Sequence, residues 1–332
     1  MRIALLGGEL NNGMLLQVKQ ALESMNIQTQ VMKKQYATTK DADIVIVIGG
    51  DRGLLQYFHQ MISDSPPVMG IYESDSTGFL AQVETKNLDI AINRLKSGNY
   101  TVDEVTRIGV KLDGKDVEPV LNDVAIFPSK SATLMEYKLK IDGENVWHDN
   151  SDGVIISTPI GSTAYSMSAG GPMVLQKAKV FVIVSVSSVD VTRRPLIVSD
   201  DTLVEIDDVT SRYHCDVILD GGKRLRIKSN LECSKHKFPA KMIRLAEDSV
   251  ATSLIAKKVR LAEDLLGMPP SAKLVLKTLE YEGPLSQKEL ASRSMLPERT
   301  VRLALSYLLD KGYVKKKVSL RDARQRIYEL KI

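Results

Sequence analysis

Residues 43–55 read Asp-Ile-Val-Ile-Val-Ile-Gly-Gly-Asp-Arg-Gly-Leu-Leu, and the fold turns on this stretch. Ile44 to Ile48 is short, apolar and β-branched throughout, the pattern of a strand buried on both faces. It stops at Gly49-Gly50-Asp51. Two glycines at the carboxyl end of such a strand let the chain turn sharply and let a ligand approach backbone amides closely. Parallel α/β sheets place their ligands at that end. Asp51 is therefore expected on the rim of a phosphate pocket, although an ordinary turn has the same composition.

The neighbouring segments support a sheet with helices on its faces. Arg2 to Leu6 predicts a strand, Met14 to Met25 a helix, and Ile27 to Met32 a second strand. After the central strand come an apolar helix from about Leu54 to Ile62, a strand at Val68 to Tyr72 and a helix at Leu88 to Lys96. Such alternation predicts an α/β nucleotide-binding domain over residues 1–105. Beyond Tyr100 short alternating runs take over, including Val120–Phe127, Met135–Ile141, Val154–Thr158 and Val180–Val186, separated by turns such as Asp113-Gly114 and Gly221-Gly222. A β-rich (α+β) second domain is expected over residues 106–266, closed by a returning helix after Leu245. Gly267-Met268-Pro269-Pro270 then reads as a linker.

The charge distribution separates the tail from the rest. The chain carries +4 overall, with 45 Lys/Arg against 41 Asp/Glu. Residues 270–332 hold 14 basic and 7 acidic side chains, a net +7, so residues 1–269 hold 31 and 34, a net −3. A basic module on a slightly acidic body points to a partner of its own. Three helical segments are expected there: Ser271 to Tyr281, Gln287 to Ser294 behind a Ser286/Glu289 capping box, and Leu296 to Leu309. A hairpin of Tyr313–Val318 with Arg326–Leu330 follows. The absence of a long apolar run or a signal-peptide pattern gives the expectation of a cytoplasmic protein with no membrane partner. Two cysteines make no disulfide framework. His214-Cys215 and Cys233-x-x-His236 admit a zinc site or scattered residues of a β-domain, and no metal ligand is assigned.

Three further stretches accompany Gly-Gly-Asp. Residues 151–172, SDGVIISTPIGSTAYSMSAGGP, concentrate small hydroxyl residues and glycines that can offer hydroxyls, amides and carbonyls to a polar ligand. Asn122-Asp123 places an amide beside a carboxylate, a pair able to recognise ribose hydroxyls or an adenine edge. The third is Gly78-Phe79-Leu80. Together they resemble the NAD kinase family. The stretch 151–172 is similar to its long signature almost residue for residue. Asn122-Asp123 stands where the family usually has Asn-Glu, and Arg194-Pro195-Leu196 and Asp220-Gly221 match lesser landmarks. Gly-Gly-Asp alone is also found in phosphofructokinases and lipid kinases, which lack the long signature.

The resemblance covers roughly residues 1–265. It implies the NAD kinase fold and transfer of a phosphoryl group from ATP to the 2′-hydroxyl of the adenosine ribose of NAD, with Mg²⁺ or another divalent cation. It implies Asp51 as the catalytic base, Gly49, Gly50, Arg52 and Gly53 as the phosphate loop, and Asn122, Asp123, Asp152, Thr163, Ala164, Tyr165 and Ser168 as NAD contacts. It also implies a homodimer or tetramer whose active sites draw on a neighbouring subunit. There are departures. The family continues Gly-Gly-Asp with Gly-Thr where this chain has Arg52-Gly53, and Tyr72 replaces a common Asn. A glycine at 52 could adopt a positive φ that arginine resists. Arg52 thus leaves two outcomes open, a grip on phosphate or a clash that makes the body a catalytically silent NAD(P) sensor for a transcriptional regulator. The tail resembles a winged helix-turn-helix, a fold that binds DNA or serves protein–protein contact. Arg299, Thr300 and Arg302 would face a major groove, and Lys315, Lys316 and Lys317 with Arg321, Arg324 and Arg326 would form a basic wing.

Overall fold

A computed structural model describes residues 1–7, 12–32, 39, 41–73, 78–130, 133–245, 267–318 and 326–330. The described residues fall into two compact units, one within Met1–Tyr72 and Gly78–Ile255, the other within Glu73–Thr77 and Ala256–Ile332.

In the first unit the strands β1 (Arg2–Gly7), β2 (Gln28–Met32), β3 (Ile44–Ile48), β4 (Val68–Tyr72), β5 (Val83–Glu84) and β6 (Thr101–Val105) build one sheet. The helices α1 (Asn12–Ser24), α2 (Gly50–Gln60) and α3 (Leu88–Lys96) connect them. β2, β1, β3 and β4 run parallel in that order. Every residue of β3 is buried, as its unbroken apolar run predicts. One core layer packs α1 and α3 residues such as Val18, Leu22, Ile92 and Leu95 on the sheet; the other packs Leu54, Tyr57 and Phe58 of α2 on its opposite face.

The β-rich part forms two six-stranded sheets among the described residues. One runs β11 (Glu144–Ser151), β10 (Met135–Ile141), β15 (Val204–Ser211), β18 (Leu231–Lys235), β7 (Ile108–Leu112) and β8 (Lys115–Asp116). The other runs β14 (Leu196–Ser199), β13 (Val180–Val186), β12 (Gly153–Ser157), β9 (Asp123–Pro128), β16 (Cys215–Leu219) and β17 (Lys223–Ile227). Ile126, Tyr137, Ile156, Phe181 and Val217 fill the core between them. Cys215 and Cys233 lie in that core as free thiols. Burial pushes the Cys233 thiol pKa up, which suits a small apolar filler rather than a metal ligand. The chain then re-enters the first sheet: β19 (Ala240–Arg244) pairs parallel with β4 and antiparallel with β6. From the sequence, no strand is expected at residues 240–244. The helix expected after Leu245 lies outside the described residues.

In the second unit α5 (Pro270–Glu282), α6 (Gln287–Ser294) and α7 (Glu298–Asp310) pack with a small antiparallel sheet of β20 (Leu285–Ser286), β22 (Arg326–Leu330) and β21 (Val314–Val318). The short helix numbered α4 is Tyr165–Ser168 in the first unit. Ala272, Val275, Leu290, Val301, Leu305 and Tyr328 form a separate core. The Ser286/Glu289 capping box is present: the Ser286 N–H donates to Glu289 Oε2 (2.8 Å) and the Glu289 N–H to Ser286 Oγ (3.3 Å). The expected linker proves to be part of this unit. Met268 is buried in its core, Pro269 caps α5 and Pro270 opens it. A proline in the first turn forfeits no intrahelical bond. Arg321 and Arg324 lie outside the described residues. Among the described residues no helix is long and apolar enough to cross a membrane.

Candidate active site

Gly-Gly-Asp is the first turn of a helix, where the sequence suggested a loop ahead of one. α2 begins at Gly50, four residues earlier than its apolar periodicity indicates. Gly49 is the N-cap, with φ 133°, and Gly50 has φ 63°, both closed to ordinary side chains. This turn leaves backbone N–H groups at the end of a helix without intrahelical acceptors, an arrangement that attracts phosphate. Arg52 is helical and exposed and is not among the positive-φ residues, so the strain foreseen for it is absent. The glycine needed for packing is Gly53, where a Cβ would stand 3.1 Å from Val47 Cγ1.

Asp51 points back across the end of the sheet. Its Oδ1 accepts the N–H groups of Leu80 (2.9 Å) and Ala81 (2.8 Å), and Phe79 N–H reaches both oxygens (3.2 and 3.0 Å). Three successive amides thus fix one half-buried carboxylate. Gly78 makes that turn feasible: a Cβ there would lie 2.5 Å from Tyr72 Cδ1 and would also strike the Ala81 carbonyl. The Gly78-Phe79-Leu80 motif is therefore a cradle for Asp51. Tyr72 lines the same corner, and burial raises its pKa, helped by the charges of Glu84 and Asp51.

A second carboxylate repeats the device. Asp220, in the β16–β17 turn with φ 46°, has a fully buried side chain. It accepts the N–H groups of Leu121 (2.9 Å), Asn122 (2.7 Å) and Asp123 (3.0 Å). Asp123 is buried, whereas Asn122 is half-buried. The stretch 151–172 then closes on this loop. Thr158 N–H donates to the Asn122 carbonyl (2.9 Å), and Thr158 Oγ1 donates to the Leu121 carbonyl (2.6 Å) while accepting from Gly161 N–H (3.1 Å). Gly161 sits so near that a Cβ would come within 2.7 Å of Asn122 Cα and closer still to its carbonyl.

The hydroxyl-rich stretch is divided in use. Ser157, Thr158, Ser162 and Ser166 are fully buried, so these four hydroxyls are not offered to a ligand. Ser162 Oγ donates to the Pro159 carbonyl (2.6 Å) and accepts from Val174 N–H (3.0 Å), a staple within the stretch. Thr163, Ala164, Tyr165 and Ser168 remain on the accessible side, and the Tyr165 ring stacks on Phe127 (centroids 5.5 Å apart). Asp152 does not join Asn122 and Asp123 within one chain. Ser157 pairs with Asp123, and Asp152 lies five residues away beyond the other end of β12. At about 3.3 Å per residue that is roughly 16 Å along the strand.

The family models for the ATP-NAD kinase N-terminal and C-terminal domains match residues 8–100 and 121–245. An NAD kinase of Methanopyrus kandleri is 33% identical over 208 residues, covering 62% of this chain and 74% of that protein. The chain belongs to the NAD kinase family. An NAD kinase of Thermococcus sibiricus is 36% identical over 211 residues, covering 62% of this chain and 75% of the relative. The fold is shared with an NAD kinase from Archaeoglobus fulgidus solved in complex with ATP, at a TM-score of 0.67 and 24% identity over 78% of this chain and 99% of that one. It is shared also with yeast NADH kinase complexed with NADH, at 0.69 and 17% over 78% and 87%. Residues 270–332 lie outside both matched segments. The family's long signature is thus the segment that stacks beside the Asn122–Asp123 loop here.

The tight approach of Gly161 gives a direct test. Gly161→Ala is expected to displace the Asn122 backbone and to weaken NAD binding by more than about tenfold, near 1.4 kcal/mol. Calorimetric titration with NAD measures this, and unchanged affinity would show that the loop does not contact the dinucleotide.

Proposed function

We propose that this chain transfers the terminal phosphoryl group of ATP to the 2′-hydroxyl of the adenosine ribose of NAD, giving NADP. The observation that carries this is the Asp51 carboxylate, held by three amides in the first turn of α2. The kinases among its relatives support the same activity. In the proposed reaction the 2′-hydroxyl gives its proton to Asp51 as its oxygen bonds to the γ-phosphorus. The bond from that phosphorus to the β-phosphate bridging oxygen breaks, and ADP leaves. Positioning and electrostatics supply most of the acceleration in such transfers. Asn122, Asp123, Thr163, Ala164, Tyr165 and Ser168 are assigned to NAD, and Gly49, Gly50, Arg52 and Gly53 to the donor's phosphates. The exposed, unstrained Arg52 suits a phosphate contact. No observation favours the silent sensor that Arg52 raised as an alternative.

A divalent cation such as Mg²⁺ fits as a passenger on the donor. Among the described residues no group of three or more His, Cys, Asp or Glu side chains gathers as a metal cage. Mg²⁺ keeps water and binds substrate phosphates with only one or two protein carboxylates. Asp51 is the carboxylate of this loop that would face it, and the ion would screen the phosphate charge.

We assign the working chain as a cytoplasmic homo-oligomer, a dimer or tetramer, divided at residues 1–105, 106–266 and 267–332. The separation of Asp152 from Asp123 supports a site completed by a second copy. For the tail we propose a winged helix-turn-helix that contacts DNA. α7 buries Val301, Ala304, Leu305 and Leu308 and turns Arg299, Arg302 and Leu303 outward, with Thr300 half-buried beside them. Lys316 is exposed on β21, whereas Lys315 (3.3 Å) and Lys317 (2.5 Å) both reach Glu329, so part of the basic stripe is neutralised internally.

Three outcomes are expected. Asp51→Asn should lower NADP formation from NAD and ATP by about 10²–10⁴-fold, the range for loss of a general base, with NAD affinity nearly unchanged. Full turnover in that variant would remove Asp51 from the chemistry. Co-expression of Asp51→Asn with Asp152→Asn should restore activity that neither variant has alone; a monomer by light scattering, with no restoration, would exclude the shared site. Duplex DNA should be retarded by the full chain at low salt, with affinity falling steeply as salt rises and weakening in Arg302→Ala. No retardation at low salt would leave the tail as a protein-contact module.

A further inference from the structure

His59 lies eight positions beyond Asp51 on α2, about 12 Å further along the axis. Its Nε2 stands 3.0 Å from Asp220 Oδ2, and the two side chains are 14% and 1% exposed. That oxygen also accepts the Leu121 N–H, while Oδ1 accepts those of Asn122 and Asp123. One buried carboxylate is therefore shared between the helix that opens with Gly-Gly-Asp and the loop that carries Asn122-Asp123. The surroundings make the contact selective. Arg107 is buried behind it, donates to the Phe58 carbonyl and lies over the Phe58 ring (5.6 Å to the centroid). Burial lowers the Arg107 pKa to about 10, and the Asp220 charge opposes that fall. Glu118, near enough to interact with His59, is itself paired with Lys223. None of these groups replaces the His59 N–H at Asp220 Oδ2.

We propose that His59 is a positioning residue for this reaction: its Nε2–H, donated to Asp220, holds the Asn122–Asp123 loop at a fixed distance from Asp51 on the same helix. This rests on assigning the site to NAD kinase chemistry. His59 touches no reacting atom. A neutral imidazole with its proton on Nε2 suffices. Loss of the donor leaves a buried carboxylate short of a partner and frees the loop to shift, which disturbs the NAD side of the site and not the phosphate side.

The test compares His59→Phe, His59→Asn and His59→Gln in the full chain, measuring NADP formation and, separately, NAD binding by calorimetry. Phe keeps the bulk without the donor, and Asn has a donor too short to reach Asp220. Both are expected to raise the KM and Kd for NAD about tenfold, in line with losing one hydrogen bond to a charged group. The KM for ATP should stay within about twofold. Gln, with an N–H of similar reach, should restore most of the NAD affinity. An unchanged NAD Kd in Phe and Asn overturns the proposal. So does a parallel loss for ATP and NAD with no rescue by Gln, which marks a merely structural role. If the unaltered chain makes no NADP, the kinase assignment fails; the NAD Kd series still decides whether His59 positions the loop.

Discussion

Two carboxylates each gather three successive backbone N–H groups, and the site depends on that. Asp51 holds residues 79–81 and Asp220 holds residues 121–123. Chain leaving the end of a strand has amide N–H groups with no ladder partner, and burying them unpaired is costly. A carboxylate meets three at once, and hydrogen bonds to a charged acceptor are the stronger kind. The loops can therefore lie still without regular structure. Glycines complete the scheme where backbone passes backbone. Gly78 allows the turn under Asp51, and Gly161 lets the long signature press on Asn122. Apolar burial fixes the sheet; these polar contacts decide where its loops stop.

The central strands were legible because their chemistry is local. Ile44–Ile48 and Val68–Tyr72 have the bounds their apolar runs suggest, as do Met135–Ile141 and Val180–Val186. Edge and late strands were not. Glu144–Ser151 reads ENVWHDNS and Thr101–Val105 reads TVDEV; both are largely polar, and pairing rather than composition makes them strands. β19 pairs with strands some 140 and 175 residues earlier, a relation with no trace in its own five residues. α2 starts early because two glycines, poor helix formers, are held by tertiary context.

The site was half legible. Asp51, Asn122-Asp123 and the hydroxyl-rich stretch stood out by residue type. Their division of labour did not. Thr158 and Ser162 carry the same hydroxyl as Thr163 and Ser168, yet the first pair is buried and fastens backbone, Thr163 is half-buried with its Oγ1 donating to the Ile160 carbonyl (3.0 Å), and Ser168 is exposed. Nothing in sequence spacing separates them: all four lie beyond the end of β12, and Ser162 and Thr163 are neighbours in one turn. His59 and Asp220 were harder still. They are 161 positions apart, and a histidine two turns into an amphipathic helix carries no signal until its partner is placed beside it.

Arg52 shows how a local departure is read once the backbone is known. As a sequence it breaks the Gly-Gly-Asp-Gly pattern and suggests strain. In the structure position 52 is helical, and the spatial demand for glycine falls on position 53. What remains is electrostatic. A cation in the first turn faces the positive end of the helix dipole, which disfavours it by some tenths of a kcal/mol, up to about 1 kcal/mol. Asp51 beside it offsets part of that cost. An anion at the same helix end reverses the sign, since it is attracted by the dipole and by the guanidinium together. A residue that breaks a local rule and is relieved by a ligand is the kind of exception expected at a working site.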